Sequence, residues 1–217
     1  PGGHRPAGGG RGLGRGGVRG LSRGNPDFPL VEWLVAAYGR TDRHQEARKL
    51  AWWQFIQFPS LGTYQILQRA AEGEGQAGYY RDQAVEWLRE GTSWPAVGRG
   101  SLLVELHLWE GRPREALTAA RELGCRREVR RDLAIALEGP EPSTAGDLFA
   151  ELVEGVIQQK DNRAYDQAVA LLERIRRLWG QVGREEETAA LLADIRERHG
   201  RKRNLMSRMD AAFGAPS

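Results

Sequence analysis

Ala164-Tyr165-Asp166-Gln167-Ala168-Val169-Ala170-Leu171-Leu172, continued by Glu173-Arg174-Ile175-Arg176-Arg177-Leu178-Trp179, is the stretch from which the fold can be read. Tyr165, Ala168, Leu172, Ile175 and Trp179 follow one another at spacings of 3, 4, 3 and 4. Those spacings trace one face of a 3.6-residue period, so the segment predicts a helix with this stripe turned inward and Arg176, Arg177 and Gln181 turned outward. Asp166-Gln167-Ala168-Val169 also occurs earlier as Asp82-Gln83-Ala84-Val85, with Leu88 and Leu172 at the same offset, and Glu46-Ala47 and Glu115-Ala116 open helices in the same manner. The alanines lie 37, 32 and 52 residues apart, which predicts solenoid-sized helix hairpins rather than a strict array. A small alanine lets neighbouring helices approach closely while the apolar residues after it fill the groove.

Helical periodicity extends over the rest of residues 26–217. Asn25 or Asp27 can cap a first helix through Val31, Leu34 and Val35, and Thr41-Asp42 opens a second with Ala51, Trp52, Phe55 and Ile56 inside. Stripes at Tyr64, Leu67 and Ala71 and at Tyr80, Ala84, Trp87 and Leu88 follow, and residues 92–100, with Pro95 and two glycines, read as a loop. Val104, Leu106 and Leu108 alternate as a strand would, yet four leucines, a serine in the capping position at Ser101 and the lack of a partner strand favour helix. Pro113 suits a first turn, Gly124 a terminator, and Thr144 with Asp147 a capping box. Leu191, Leu192 and Ile195, then Leu205, Met206, Met209 and Phe213, close the series. Ten or eleven helices are expected: an all-α, tetratricopeptide-like stack of antiparallel hairpins, an α-solenoid.

The chain has 217 residues, 40% hydrophobic and 28% charged, with a net charge of +3. Residues 1–24 contain five arginines and no acid, leaving 27 basic against 29 acidic residues in the remainder, a formal −2. They also hold 11 of the 28 glycines, in an Arg-Gly repeat of period four beginning at Arg11. Such a segment buries too little to offset its ordering entropy, so residues 1–25 are expected to be a disordered tail or linker. Its Arg11, Arg15, Arg19 and Arg23 are candidate phosphate contacts. Gly12-Leu13-Gly14-Arg15-Gly16-Gly17 matches a dinucleotide fingerprint, but no strand precedes it and no helix follows. No signal or membrane-spanning pattern is visible, which predicts a cytoplasmic protein. The chain opens on Pro1 rather than methionine, which predicts a piece of a longer protein.

Candidate chemistry is sparse. Glu105 and Glu110 are five residues apart on one helix, about 140° from facing each other, and so make a poor acid/base pair. His107 and Cys125 have no third group spaced to complete a catalytic or metal-binding set, and packing explains both. Of the seven tryptophans most are phased as core, and Trp94, in a loop, is the one best placed to stack on a base. The strongest feature is a basic run, Arg196, Arg198, Arg201, Lys202, Arg203 and Arg208 against Glu197. Cations there complement a helix C-terminus, or form a phosphate or acidic-partner patch.

Leu102-Leu103-Val104-Glu105-Leu106-His107-Leu108-Trp109-Glu110-Gly111 followed by Glu115-Ala116, the 164–172 segment, and Ile195-Arg196-Glu197-Arg198-His199 running into Arg201-Lys202-Arg203-Asn204-Leu205-Met206 and Asp210 resemble, in that order, one known helical region. It lies C-terminal to the zinc finger in bacterial SWIM zinc-finger proteins, and the resemblance spans about residues 60–212. The family's C-x-C…C-x-H zinc site has no counterpart here, because the chain has one cysteine. What the resemblance implies about zinc and nucleic acid therefore attaches to an N-terminal part outside this sequence, and no cofactor is expected in this chain.

The reading that follows is a noncatalytic helical-repeat scaffold that binds a protein partner or another part of its parent chain. The alternative is a nucleic-acid-binding accessory region using the Arg-Gly tail and the 196–208 cluster, and no membrane partner is expected.

Overall fold

Eleven helices occupy the described residues of the computed structural model, 28–72, 74–91 and 94–215, and no strand occurs among them. They are α1 (Phe28–Arg40), α2 (His44–Gln57), α3 (Leu61–Glu72), α4 (Ala77–Glu90), α5 (Ala96–Trp109), α6 (Pro113–Leu123), α7 (Arg127–Leu137), α8 (Pro142–Ile157), α9 (Asn162–Gly180), α10 (Glu185–His199) and α11 (Arg203–Phe213). The chain is an all-α stack. The expected tail, residues 1–25, and the proposed caps Asn25 and Asp27 lie outside the described residues.

Each helix packs on the next, and α1 also touches α3, α3 touches α5, α5 touches α7 and α9 touches α11. Helices further apart along the chain do not meet, which is the nearest-neighbour pattern of a quasi-one-dimensional stack. The repeat alanines do what their size suggests. Ala47, Ala84, Ala116 and Ala168 are all buried, with Leu88 and Leu172 buried one turn further on. The five-residue stripe of α9, Tyr165 to Trp179, faces inward throughout. The alternating residues Val104 and Leu106 lie in the interior of α5, where the helix is buried on most sides and therefore shows no clean 3.6 period.

Four local expectations are corrected. Residues 96–100 are the first turns of α5, not loop. Gly100 is there because α5 presses on the end of α6: an added Cβ would lie 2.0 Å from the Gly124 carbonyl oxygen. Ser101 caps no helix of its own. Inside α5 its hydroxyl donates to the Val97 carbonyl at 2.6 Å and accepts from the Arg126 backbone N–H at 3.0 Å, so it serves the start of α7 instead. Thr144 and Asp147 form no capping box, because α8 begins at Pro142; Thr144 bonds to Glu141, and Asp147 pairs with Arg184 at 2.8 Å. Thr41 likewise closes α1, donating to the Ala37 and Tyr38 carbonyls, and α2 starts at His44.

Charged side chains tie neighbouring turns together. Arg69 reaches Glu32, Arg126 reaches Glu105, Arg130 reaches Glu151 and Arg177 reaches Glu138, at 2.9–3.3 Å. Individually such partly exposed pairs contribute roughly 0.2–1 kcal/mol. Their larger consequence is to neutralise most of the arginine on the body of the stack.

Candidate functional site

The same pairing divides the 196–208 cluster in two. Arg196 donates to Asp210 at 3.1 Å and to the Gly214 carbonyl, Arg198 to Asp194 and Glu154, and Arg208 to Asp166. Each of those three cations bridges helices, α10 to α11, α10 to α8 and α11 to α9. Arg201, Lys202 and Arg203 are left, in the turn between α10 and α11, with no side-chain hydrogen bond or ion pair among the described residues.

These three residues line one wall of an open depression whose other wall is the α8–α9 turn, with Lys160, Asp161, Asn162 and Tyr165. Lys160 brings a fourth unpaired cation. Its φ of 61° is left-handed, a conformation that costs a residue with a side chain about 1–2 kcal/mol, and it turns the chain sharply into α9. Asp161 starts that helix, its carboxylate accepting from the Ala164 N–H at 2.7 Å. Asp161 is therefore engaged with backbone, and the depression contains no other carboxylate. Asn204 Nδ2 donates to Asn162 Oδ1 at 3.0 Å, fastening the two walls together. Residue 202, the N-cap position of α11, is a lysine, whose side chain cannot accept from the first turn; the Lys202, Arg203 and Leu205 N–H groups donate to nearby carbonyls, so that helix end adds the Asn204 N–H and its positive dipole end to the site. Chemically the depression can hold anionic groups by charge and hydrogen bonds.

The arginines Arg11, Arg15, Arg19 and Arg23 lie outside the described residues. Glu105 and Glu110 meet different partners, Glu105 pairing with Arg126 at 3.3 Å while Glu110 accepts from the buried Tyr64 hydroxyl. Burial and the neighbouring carboxylate push the Tyr64 phenol far up, so it stays a neutral donor. His107 is 5% exposed, with neither ring nitrogen hydrogen-bonded, and burial pushes its pKa down. Cys125 is buried and unpaired. Among the described residues no three His, Cys, Asp or Glu side chains gather as a metal site. Trp94 is half-buried against the core over Gly98, and the tryptophans with substantial exposure are Trp33 and Trp109.

Lys160, Asn162 and Asn204 escaped the sequence reading of the site. A signal existed for the first two. Lys160-Asp161-Asn162 precedes Ala164 with the spacing of an N-cap, which marks a turn ending at the start of α9, and Lys160 and Lys202 are two of the chain's three lysines. No family model, curated protein or solved structure matches this chain.

Proposed function

We propose that the chain is a noncatalytic helical-repeat scaffold, the tetratricopeptide-like protein-interaction region of a SWIM zinc-finger parent, which engages an acidic partner at its C-terminal end. The observation that carries this reading is where charge gathers after pairing: most arginines along the stack are ion-paired and the unpaired ones elsewhere, such as Arg40 and Arg121, stand singly, while Lys160, Arg201, Lys202 and Arg203 converge unpaired on one depression. The resemblance in residues 60–212 supports the family assignment, and zinc belongs on this reading to the finger upstream. A cytoplasmic site of action accords with the single buried, unpaired cysteine. No helix of the described residues is long and apolar enough to cross a membrane.

The competing reading places nucleic-acid phosphates on the Arg-Gly tail and on this depression, and a salt titration separates the two. Labelled duplex DNA added to the full chain at physiological salt should show no saturable binding, with residues 1–24 present or removed, because residues 25–217 are formally −2. Tail-dependent binding tighter than about 10⁻⁶ M, falling with log salt at a slope up to about −4.5 for five neutralised phosphates, would replace the scaffold by the nucleic-acid reading.

A further inference from the structure

Two features of the C-terminal depression go beyond its charge. The first is the amide pair. With Asn204 Nδ2 committed to Asn162 Oδ1, the hydrogens of Asn162 Nδ2 and the lone pairs of Asn204 Oδ1 have no side-chain partner among the described residues. One donor and one acceptor side by side complement a peptide group, which offers one C=O and one N–H. A phosphate backbone offers acceptors only and would leave the Asn204 oxygen facing like partial charge. The second feature is the limited footprint of the positive charge. Outside the depression the same helices display exposed carboxylates without an ion pair, Glu173 on α9 and Glu185, Glu186 and Glu197 on α10. A nucleic-acid strand, charged along its whole length, would run onto them, whereas a short acidic segment ends before it reaches them.

We propose that this depression docks an acidic peptide segment of a partner protein, its carboxylates against Lys160, Arg201, Lys202 and Arg203 and one of its backbone peptide groups against the Asn162–Asn204 pair. The proposal rests on the scaffold reading in taking the occupant to be a protein. An extended segment fits better than a preformed helix, since the amide pair needs a peptide group whose N–H and C=O are not already spent on a helix. Four guanidinium and ammonium groups gathered against one acid, Asp161, also speed the encounter with such a segment, and most of all at low ionic strength.

The test uses the full chain and a fluorescent hexaglutamate peptide blocked at both ends, followed by anisotropy at low salt, with an oligothymidylate of equal charge as competitor. Hexaglutamate should bind saturably. Arg201→Glu with Arg203→Glu should weaken it by about tenfold or more, and Lys160→Glu should weaken it in the same direction. Arg121→Glu, an exposed change on α6, should leave it unchanged. Asn162→Ala with Asn204→Ala should weaken hexaglutamate and spare the oligothymidylate. Helicity is measured for every variant; if the asparagine pair disturbs folding, the exposed Arg201 and Arg203 changes still decide the matter. Absence of hexaglutamate binding, or an equal loss from Arg121→Glu, overturns the docking site while leaving the scaffold intact so long as duplex DNA also fails to bind. Displacement by oligothymidylate at lower concentration than by unlabelled hexaglutamate overturns the peptide assignment and the scaffold reading together.

Discussion

Gly100→Ala should destabilise the stack, although alanine is the better helix former and position 100 lies inside α5. In an unobstructed helix interior the exchange stabilises by about 0.5–1 kcal/mol. Here the added Cβ would stand 2.0 Å from the Gly124 carbonyl oxygen and 2.8 Å from Leu123 Cβ, so reaching ordinary contact near 3.4 Å requires α5 and the end of α6 to part by about 1.4 Å. Neither obstacle is the far end of a flexible side chain, and Gly124 is fixed in a left-handed turn, φ 71°. Parting the two segments also strains the Ser101 hydroxyl, which accepts from the Arg126 N–H at 3.0 Å from the residue next to Gly100. Overpacking costs about 1–3 kcal/mol and a weakened buried hydrogen bond about 1 kcal/mol more, so after the propensity gain the net loss is about 2 kcal/mol. In a chain of this size that lowers Tm by about 4–8 °C. Urea and thermal unfolding followed by far-ultraviolet circular dichroism read the change, with Gly39→Ala as the control, because nothing lies within 4 Å of its added Cβ. Gly39→Ala should be neutral or stabilising by up to about 0.5 kcal/mol. A Gly100→Ala chain as stable as the parent would refute the close approach of α5 to the Leu123–Gly124 turn.

Further outcomes are expected. Asp161→Ala removes the side-chain cap of α9 and should cost about 1 kcal/mol in urea unfolding, whereas Asp161→Asn should cost less. The lowered pKa of buried His107 means that the unfolded chain takes up its proton first, so stability should fall as pH drops below the ordinary histidine value of about 6.5. His107→Leu should flatten that part of the profile and be neutral or stabilising at pH 7, since neither ring nitrogen is hydrogen-bonded. Burial works to raise the Glu154 pKa, but hydrogen bonds from His199 and Gln158 and the charge of Arg198 outweigh it and hold it at about 2. The stability this gives is present above the unfolded value near 4.5 and is lost as pH falls from there toward 2. Glu154→Gln should therefore destabilise at pH 7 and differ little from the parent at the acid end of a pH series of urea midpoints.

Where the fold was legible, one face of a helix carried the signal by itself. The α9 stripe needs no knowledge of its neighbours to be read as helical, and the four repeat alanines mark close packing by their size alone. Misreadings arose where a residue serves a different element from its own. Gly98 and Gly100 look like breakers because glycine lacks local preference, but both lie in α5, where Gly100 leaves room for a turn more than twenty residues away. Ser101 looks like a cap and is one, for α7 rather than α5. Trp94 is in a non-helical turn as read, yet the turn folds back on Gly98 and the ring is half-buried there.

The candidate site was legible as a charge run and illegible as a place. Six cations between residues 196 and 208 can be counted in the sequence, but two of the acids that neutralise them arrive from distant turns: Glu154 lies 44 residues before Arg198 and Asp166 lies 42 before Arg208. Pairing of this kind depends on which turns the stack sets side by side, and local spacing does not encode it. The same stacking delivers Lys160 and Asn162 from the α8–α9 turn to the α10–α11 turn, so the depression combines two segments about 40 residues apart, neither of which is a site alone. In a stack whose arginines bridge neighbouring helices, a binding surface is defined by the cations left over after bridging, and the unbridged Arg201, Lys202 and Arg203 matter more than the total charge of the run that contains them.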